Sequence, residues 1–239
     1  MEIRVIFEDR TDGSRKIHES ESKSMPQTAT IHLDRGLEIG YGHALARFEE
    51  EIELSSGTHF LLARNGRGKT TLLRTLAGTQ VPVSGGFHVD GFVQYLPEDL
   101  RFDPEITPAV IFRSLLPKAR LADALCLASR IELDVKKPYG RLSTGNRRKT
   151  SLIMAEFSVK AGVGNVLLLD EPFSGLDAFA RETFEEIWRK STANVLRLVS
   201  CHPDYDSMSM PSVVLIESKK ARHFRGGDQT WSGLKNLMT

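Results

Sequence analysis

The chain has 239 residues, 40% hydrophobic and 26% charged, a mixture that can bury a sizeable core and excludes global disorder. Thirty-two basic residues against 31 acidic ones leave a formal net charge of +1, which gives no global electrostatic case for nucleic acid as the main ligand. Two cysteines, Cys126 and Cys201, exclude a disulfide scaffold and make a reducing compartment the default. No apolar run approaches the roughly 20 residues that cross a bilayer, and the first residues carry acids where a signal peptide needs an apolar stretch.

In chain order, Ile3 to Phe7 read as a strand, and the polar stretch from Asp9 to Gln27 reads as a loop. Residues 1–28 are therefore expected to form an N-terminal extension and residues 29–239 one domain. The segments TATIHL and FEEEIEL, broken at Gly36, Gly40 and Gly42, predict a small antiparallel sheet. THFLLA (Thr58 to Ala63), NVLLLD (Asn165 to Asp170) and VLRLVS (Val195 to Ser200) have the near-continuous apolar character of parallel strands covered on both faces. A helix is expected from Lys69 to Ala77, stopped by Gly78. Ala180, Phe184, Ile187 and Trp188 mark one face of another. Thr107 and Pro108 open a helix that Pro117 ends, and Leu121, Leu125 and Ala128 mark the next. Roughly residues 100–160 thus read as a helical insertion in an α/β core, and VVLIESKKARHFRGG as a terminal hairpin.

The sharpest local feature is Ala63-Arg64-Asn65-Gly66-Arg67-Gly68-Lys69-Thr70-Thr71, set between an apolar strand and a helix. Small residues there let backbone N–H groups converge on phosphates at the positive end of a helix. Lys69 is then placed to reach the β- and γ-phosphates, and the Thr70 hydroxyl to ligate Mg²⁺. Ala63 stands where the pattern has glycine. A left-handed backbone at that position would make alanine costly, so glycine there is expected to keep or modestly raise ATP affinity. Downstream, LLLDEP ends an apolar strand in two carboxylates: Asp170 suits a Mg²⁺ site through its water shell, and Glu171 suits the polarisation of an attacking water.

Leu142-Ser143-Thr144-Gly145-Asn146 precedes a further helix. With the phosphate loop and the acid pair in this order, the chain resembles the ATP-binding cassette family, whose signature is close to LSGGQ. The resemblance implies an α/β P-loop NTPase core with a parallel sheet, an N-terminal antiparallel β subdomain and a helical subdomain. It implies two subunits closing head to tail on two ATP molecules, with Ser143 and Gly145 of one chain on the γ-phosphate held by the other. It also places Gln94 at the glutamine loop near Mg²⁺, Asp177 of Ser174-Gly175-Leu176-Asp177 in the loop that crosses the dimer interface, and His202 at the γ-phosphate. Tyr41 falls at the aromatic that stacks on adenine. Glu171, His202 and Lys69 are the catalytic residues it implies.

The function that follows is an ATPase that powers transport through a separate transmembrane subunit, peripheral to the inner face of a membrane, as a homodimer or a paralogue heterodimer. The basic run Arg147-Arg148-Lys149 reads as a solvated face, and its context resembles exporter ATPases of the ABC-2 type. A soluble ATPase of the same fold, acting in an assembly such as iron–sulfur cluster biogenesis, is the alternative. A chromosome or DNA-repair ATPase fits poorly, since no long coiled coil can lie between Gln94 and Asp170.

Overall fold

A computed structural model describes residues 28–191, 194–201, 209–226 and 229–237. The strand expected at Ile3 to Phe7, residues 1–27 of the extension that contains it, and His202 lie outside these residues.

Two sheets carry the fold. β1 (Thr30–Leu33), β4 (Ile52–Leu54) and β6 (Phe87–Asp90) form a three-stranded antiparallel sheet in the order β4-β1-β6. The eight-stranded sheet has the order β2-β3-β11-β10-β5-β9-β8-β7. Its strands are β2 (Glu38–Gly40), β3 (Ala44–Phe48), β5 (Gly57–Ala63), β7 (Phe92–Leu96), β8 (Asn165–Leu169), β9 (Val195–Cys201), β10 (Ser212–Glu217) and β11 (Lys220–Arg225). FEEEIEL is not one strand: Phe48 closes β3 in the large sheet and Ile52 opens β4 in the small one. The change of sheet falls on Glu49, Glu50 and Glu51, three exposed carboxylates that gain nothing from burial.

The strands β10, β5, β9, β8 and β7 pair in parallel, and their side chains alternate between two cores. Phe60, Leu62, Leu167, Leu169, Val199 and Val213 enter one core with the helices α2 (Pro108–Leu115), α3 (Lys118–Arg130), α4 (Thr144–Phe157) and α5 (Ala178–Lys190). Leu61, Ala63, Val166, Leu168, Leu198 and Val214 enter the other, with α1 (Lys69–Leu76) and the small sheet. Thr107 occupies the N-cap of α2 without a capping side-chain bond. Ala124, Leu127 and Ala128 are the buried face of α3, so Leu121 and Leu125 flank it. Near the end, α6 (Trp231–Lys235) follows the β10–β11 hairpin and buries Trp231.

One apolar strand hides a charge. Arg197, 1% exposed in β9, donates to Glu156 of α4 through Nε at 3.1 Å and also through Nη2, and Trp188 Nε1 donates to the same carboxylate at 3.1 Å. Removing either partner would strand a buried charge.

A second polar line crosses the sheet at the end of β5 away from Ala63. Arg225 Nε donates to His223 Nδ1 at 2.9 Å, so His223 carries its proton on Nε2, 2.8 Å from Ser212 Oγ. His59 Nε2 lies 2.7 Å from the Ser55 carbonyl and must donate to it, which leaves Nδ1 to accept from Ser212 at 2.7 Å. The line is complete only when both imidazoles are neutral. Burial, with the Arg225 charge, lowers the His59 pKa against the Ser55 bond. Burial, then Arg225 and His59, takes His223 from 6.5 down to about 4, with Glu50 opposing.

The unfolded chain therefore binds the extra proton first, and the folded state loses stability as pH falls from 6.5 towards about 4. His223→Gln should be less stable than wild type at neutral pH, and the gap in thermal midpoint should narrow through that window. An unchanged gap would contradict a neutral His223.

Candidate functional site

A cleft of about 650 Å³ opens at the carboxyl ends of β5, β8 and β9, lined by residues of the phosphate loop together with Tyr41, Glu98, Glu171, Ser174 and Cys201. The loop leaves β5 at Ala63 and turns into α1 at Gly68, whose φ of 108° belongs to the left-handed region where a side chain is strained. A Cβ at Gly68 would also lie 3.3 Å from Ile39 Cδ1 of β2. Arg64, Asn65, Gly66, Lys69, Thr70 and Thr71 line the cleft, and Arg67 is exposed beside them.

Ala63 corrects the expectation made for it. It is the last residue of β5, extended, 1% exposed and paired with Ile216. No left-handed backbone is required there, so alanine carries no conformational cost. Its carbonyl accepts from Lys69 Nζ at 3.1 Å. Lys69, 7% exposed, also bonds Asn65 Oδ1 at 3.4 Å and pairs with Glu171 at 3.2 Å.

Asp170 and Glu171 follow β8 directly. Asp170 is 1% exposed. It accepts from Ser200 Oγ at 2.8 Å on one oxygen and from Tyr95 OH at 3.3 Å on the other. Burial first, and then the Asp170 charge, raises the Tyr95 pKa and keeps the phenol protonated as a donor. Arg74 of α1 supports Tyr95 and donates to Tyr41 OH at 3.4 Å, and these partners, Tyr95 first, raise its own pKa. Tyr41 stands 56% exposed at the cleft.

Gln94 does not reach this site. Strand alternation turns it to the α4 side of the sheet, where its Oε1 accepts from Ser158 Oγ at 2.6 Å and its Nε2 donates to the Ser158 carbonyl at 3.3 Å. Glu98, just beyond the end of β7, lines the cleft instead. Residue type alone points to the glutamine, whereas distance past the strand end decides which side chain arrives.

Ser143, Gly145 and Asp177 do not line the cleft of their own chain. Ser143 caps α4, accepting from Asn146 N–H at 3.2 Å. Asp177 caps α5, accepting from Ala180 N–H at 2.8 Å, and pairs with Lys149 at 2.6 Å, which lowers its pKa. The first turn of α4 touches the loop before α5: a Cβ on Gly145 would lie 2.6 Å from the Gly175 carbonyl oxygen, so only glycine fits.

The basic run that opens α4 is not a solvated face. Arg148 and Lys149 are buried. Lys149 donates to the Ile131 carbonyl at 2.8 Å, and Arg147 to the carbonyls of Tyr139 and Gly140 at 3.2 and 2.8 Å. Burial lowers the Arg148 pKa, against the pull of Glu98, Tyr139, Asp170 and Glu171. Arg147 and Lys149 thus hold carbonyls, and Arg148 carries its charge towards acids of the cleft.

Cys201 closes β9, and burial pushes its thiol pKa up, so it is a poor nucleophile. Among the described residues no group of three or more His, Cys, Asp or Glu side chains is gathered for a metal. Hard oxygens suited to an ATP-borne Mg²⁺ are nonetheless close: the Thr70 hydroxyl and Glu98 in the cleft wall, and the buried Asp170 carboxylate beneath Glu171.

Residues 51–174 match the ABC transporter family. The aliphatic sulfonates import ATP-binding protein SsuB of Corynebacterium glutamicum is 29% identical over 205 residues, 79% of this chain and 83% of that one. The taurine import ATP-binding protein TauB of Pseudomonas syringae is 29% identical over 198 residues, 70% of this chain and 71% of that one. A solved chain of Pyrococcus furiosus, described as an ABC transporter ATP-binding protein, superposes with a TM-score of 0.61 at 21% identity, covering 78% of this chain and 97% of that one. The chain belongs to the ABC transporter family and is one of its ATP-binding, ATP-hydrolysing subunits. Among the described residues no helix is long and apolar enough to cross a membrane.

Since Ala63 is an extended, buried strand residue, Ala63→Gly should leave ATP affinity unchanged and lower stability by about 0.5–1 kcal/mol, the ordinary cost of glycine inside a strand. Nucleotide titration and thermal denaturation of the purified variant check both halves.

Proposed function

We propose that the chain powers transport through a separate membrane-spanning partner by closing on ATP with a second cassette, either its own copy or a paralogue. The observation that carries this reading is the ion pair of Lys69 with Glu171 at 3.2 Å on one side of the cleft, while Ser143 and Gly145 stand outside it. A phosphate site with its base in place and no signature residues of its own leaves room for those of another chain.

In this reading the loop amides and Lys69 hold the β- and γ-phosphates, with Arg64, Asn65, Gly66, Arg67, Gly68 and Thr71 shaping the cradle. Ser143 and Gly145 of the facing chain contact the γ-phosphate, and Asp177 helps to align the two chains. Glu171 accepts the proton of the water that attacks the γ-phosphorus as the bond to the β–γ bridging oxygen breaks. Thr70 and Glu98, with Asp170 through water, are the residues suited to Mg²⁺, which when bound neutralises charge on the phosphate oxygens. His202 keeps its proposed place at the γ-phosphate by its position after Cys201. Tyr41 supplies the face on which adenine stacks. The domain spans residues 29–239, with its helical part at about 100–160, and sits at the inner face of a membrane through its partner.

Import is the favoured direction, because the relatives named above are import ATP-binding proteins. Those names make a small sulfonate the first cargo to test. A multi-spanning membrane protein should co-purify stoichiometrically in mild detergent, whereas recovery with soluble assembly factors alone would favour the iron–sulfur reading.

Glu171→Gln should bind ATP, lose turnover by roughly 10²–10⁴-fold and accumulate as an ATP-bound dimer, read by light scattering with ATP against ADP. Adding Ser143→Arg should keep it monomeric. Wild-type turnover in Glu171→Gln would reject the assignment.

Tyr41→Ala should weaken ATP binding by about 1–2 kcal/mol, the scale of one stacking contact, and Phe or Trp should preserve it. Unchanged affinity in the alanine variant would remove Tyr41 from the site.

A further inference from the structure

Ser200 lies in a strand that reads as apolar, and it is fully buried. The parallel register sets Leu169 of β8 beside Val199 of β9, so the residues after them, Asp170 and Ser200, meet beyond the last paired row. One hydroxyl serves two bonds of opposite sense. Ser200 Oγ donates to Asp170 Oδ1 at 2.8 Å and accepts from the Glu171 backbone N–H at 2.8 Å. These roles are compatible, since a hydroxyl has one proton to give and two lone pairs.

The second bond matters because of the backbone it holds. Glu171 has φ of 47°, a left-handed conformation that a non-glycine residue adopts only where its surroundings enforce it. That turn brings the Glu171 carboxylate to Lys69 at 3.2 Å. Tyr95 OH holds the other oxygen of Asp170, so the two acids are fixed from the two strands that flank β8.

We infer that Ser200 is a positioning residue for ATP hydrolysis: its hydroxyl locks the left-handed turn at Glu171 and orients Asp170, and so sets where the base meets the attacking water. This rests on Glu171 acting as the proposed base. Ser200 lines the cleft, but its hydroxyl is engaged by Asp170 and the Glu171 N–H, so its loss should appear in kcat and leave ATP binding alone.

The test compares Ser200→Thr with Ser200→Val. The two side chains have nearly the same shape and strand preference, and only threonine keeps the hydroxyl. Ser200→Thr should retain most of the wild-type kcat. Ser200→Val should lose about 10–100-fold, the scale of a small misplacement of a reacting group, with KM for ATP and the thermal midpoint close to those of Ser200→Thr. Ser200→Ala, which adds no bulk, should show the same loss if valine disturbs the strand. In a Glu171→Gln background the removal of the hydroxyl should cost less than it does in the wild type, because one of the two acids it positions is already gone. A multiplied loss in that background would make Ser200 merely structural and overturn the inference, as would equal kcat in the Thr, Val and Ala variants. Full turnover in Glu171→Gln alone would instead reject the base itself, so the two failures are distinct.

Discussion

The parallel register of β7, β8, β9 and β5 is the constraint on which the site depends. Leu96, Leu169, Val199 and Phe60 stand side by side in one row across four strands. The acids and the phosphate loop are reached by continuing a strand past that row: Glu98 from β7, Asp170 and Glu171 from β8, Ser200 and Cys201 from β9, and the phosphate loop from β5. A one-residue slip in any strand would exchange its two faces; in β9 it would send Ser200 to the α-helical core and leave Asp170 with Tyr95 alone as donor. The burial of apolar side chains on both faces opposes that slip, so packing far from the chemistry sets the geometry of the acids.

The sheet is covered by unlike layers, and the site uses both. α1, with the small sheet, covers the face that receives Leu61 and Leu168, and it brings Lys69 to Glu171 and Arg74 to Tyr95 and Tyr41. α4 covers the opposite face and opens beside the loop that follows Glu171. Arg148 at its first turns carries a buried positive charge towards Glu98, Asp170 and Glu171. The acids are thus balanced by cations from both layers.

Much of this was legible in the sequence where the signal is local. The phosphate loop, the acid pair at the end of NVLLLD, the helix that follows LSTGN and the hairpin each announce themselves within a few residues, because strand burial and helix starts are short-range patterns. What stayed hidden depends on partners far along the chain. Ser200 reads as filler in VLRLVS until Asp170 is placed beside it. Arg197 reads as an interruption until Glu156 of α4 meets it. Gln94 and Glu98 are four residues apart on one segment, and only the point at which β7 ends tells which of them enters the cleft. Ala63 reads as a defect because the motif names a residue type, whereas the structure needs only an extended backbone there.

The bond between Gln94 and Ser158 gives α4 a second attachment. At its start, the touch of Gly145 on Gly175 and the pair of Lys149 with Asp177 bind the helix to the loop before α5. At its far end, Ser158 fastens it to β7. A 14-residue helix spans about 21 Å and does not compress. It is therefore a strut pinned at both ends, and a tilt of the helical layer against β7 at one pin must reappear as a displacement of the LSTGN turn at the other.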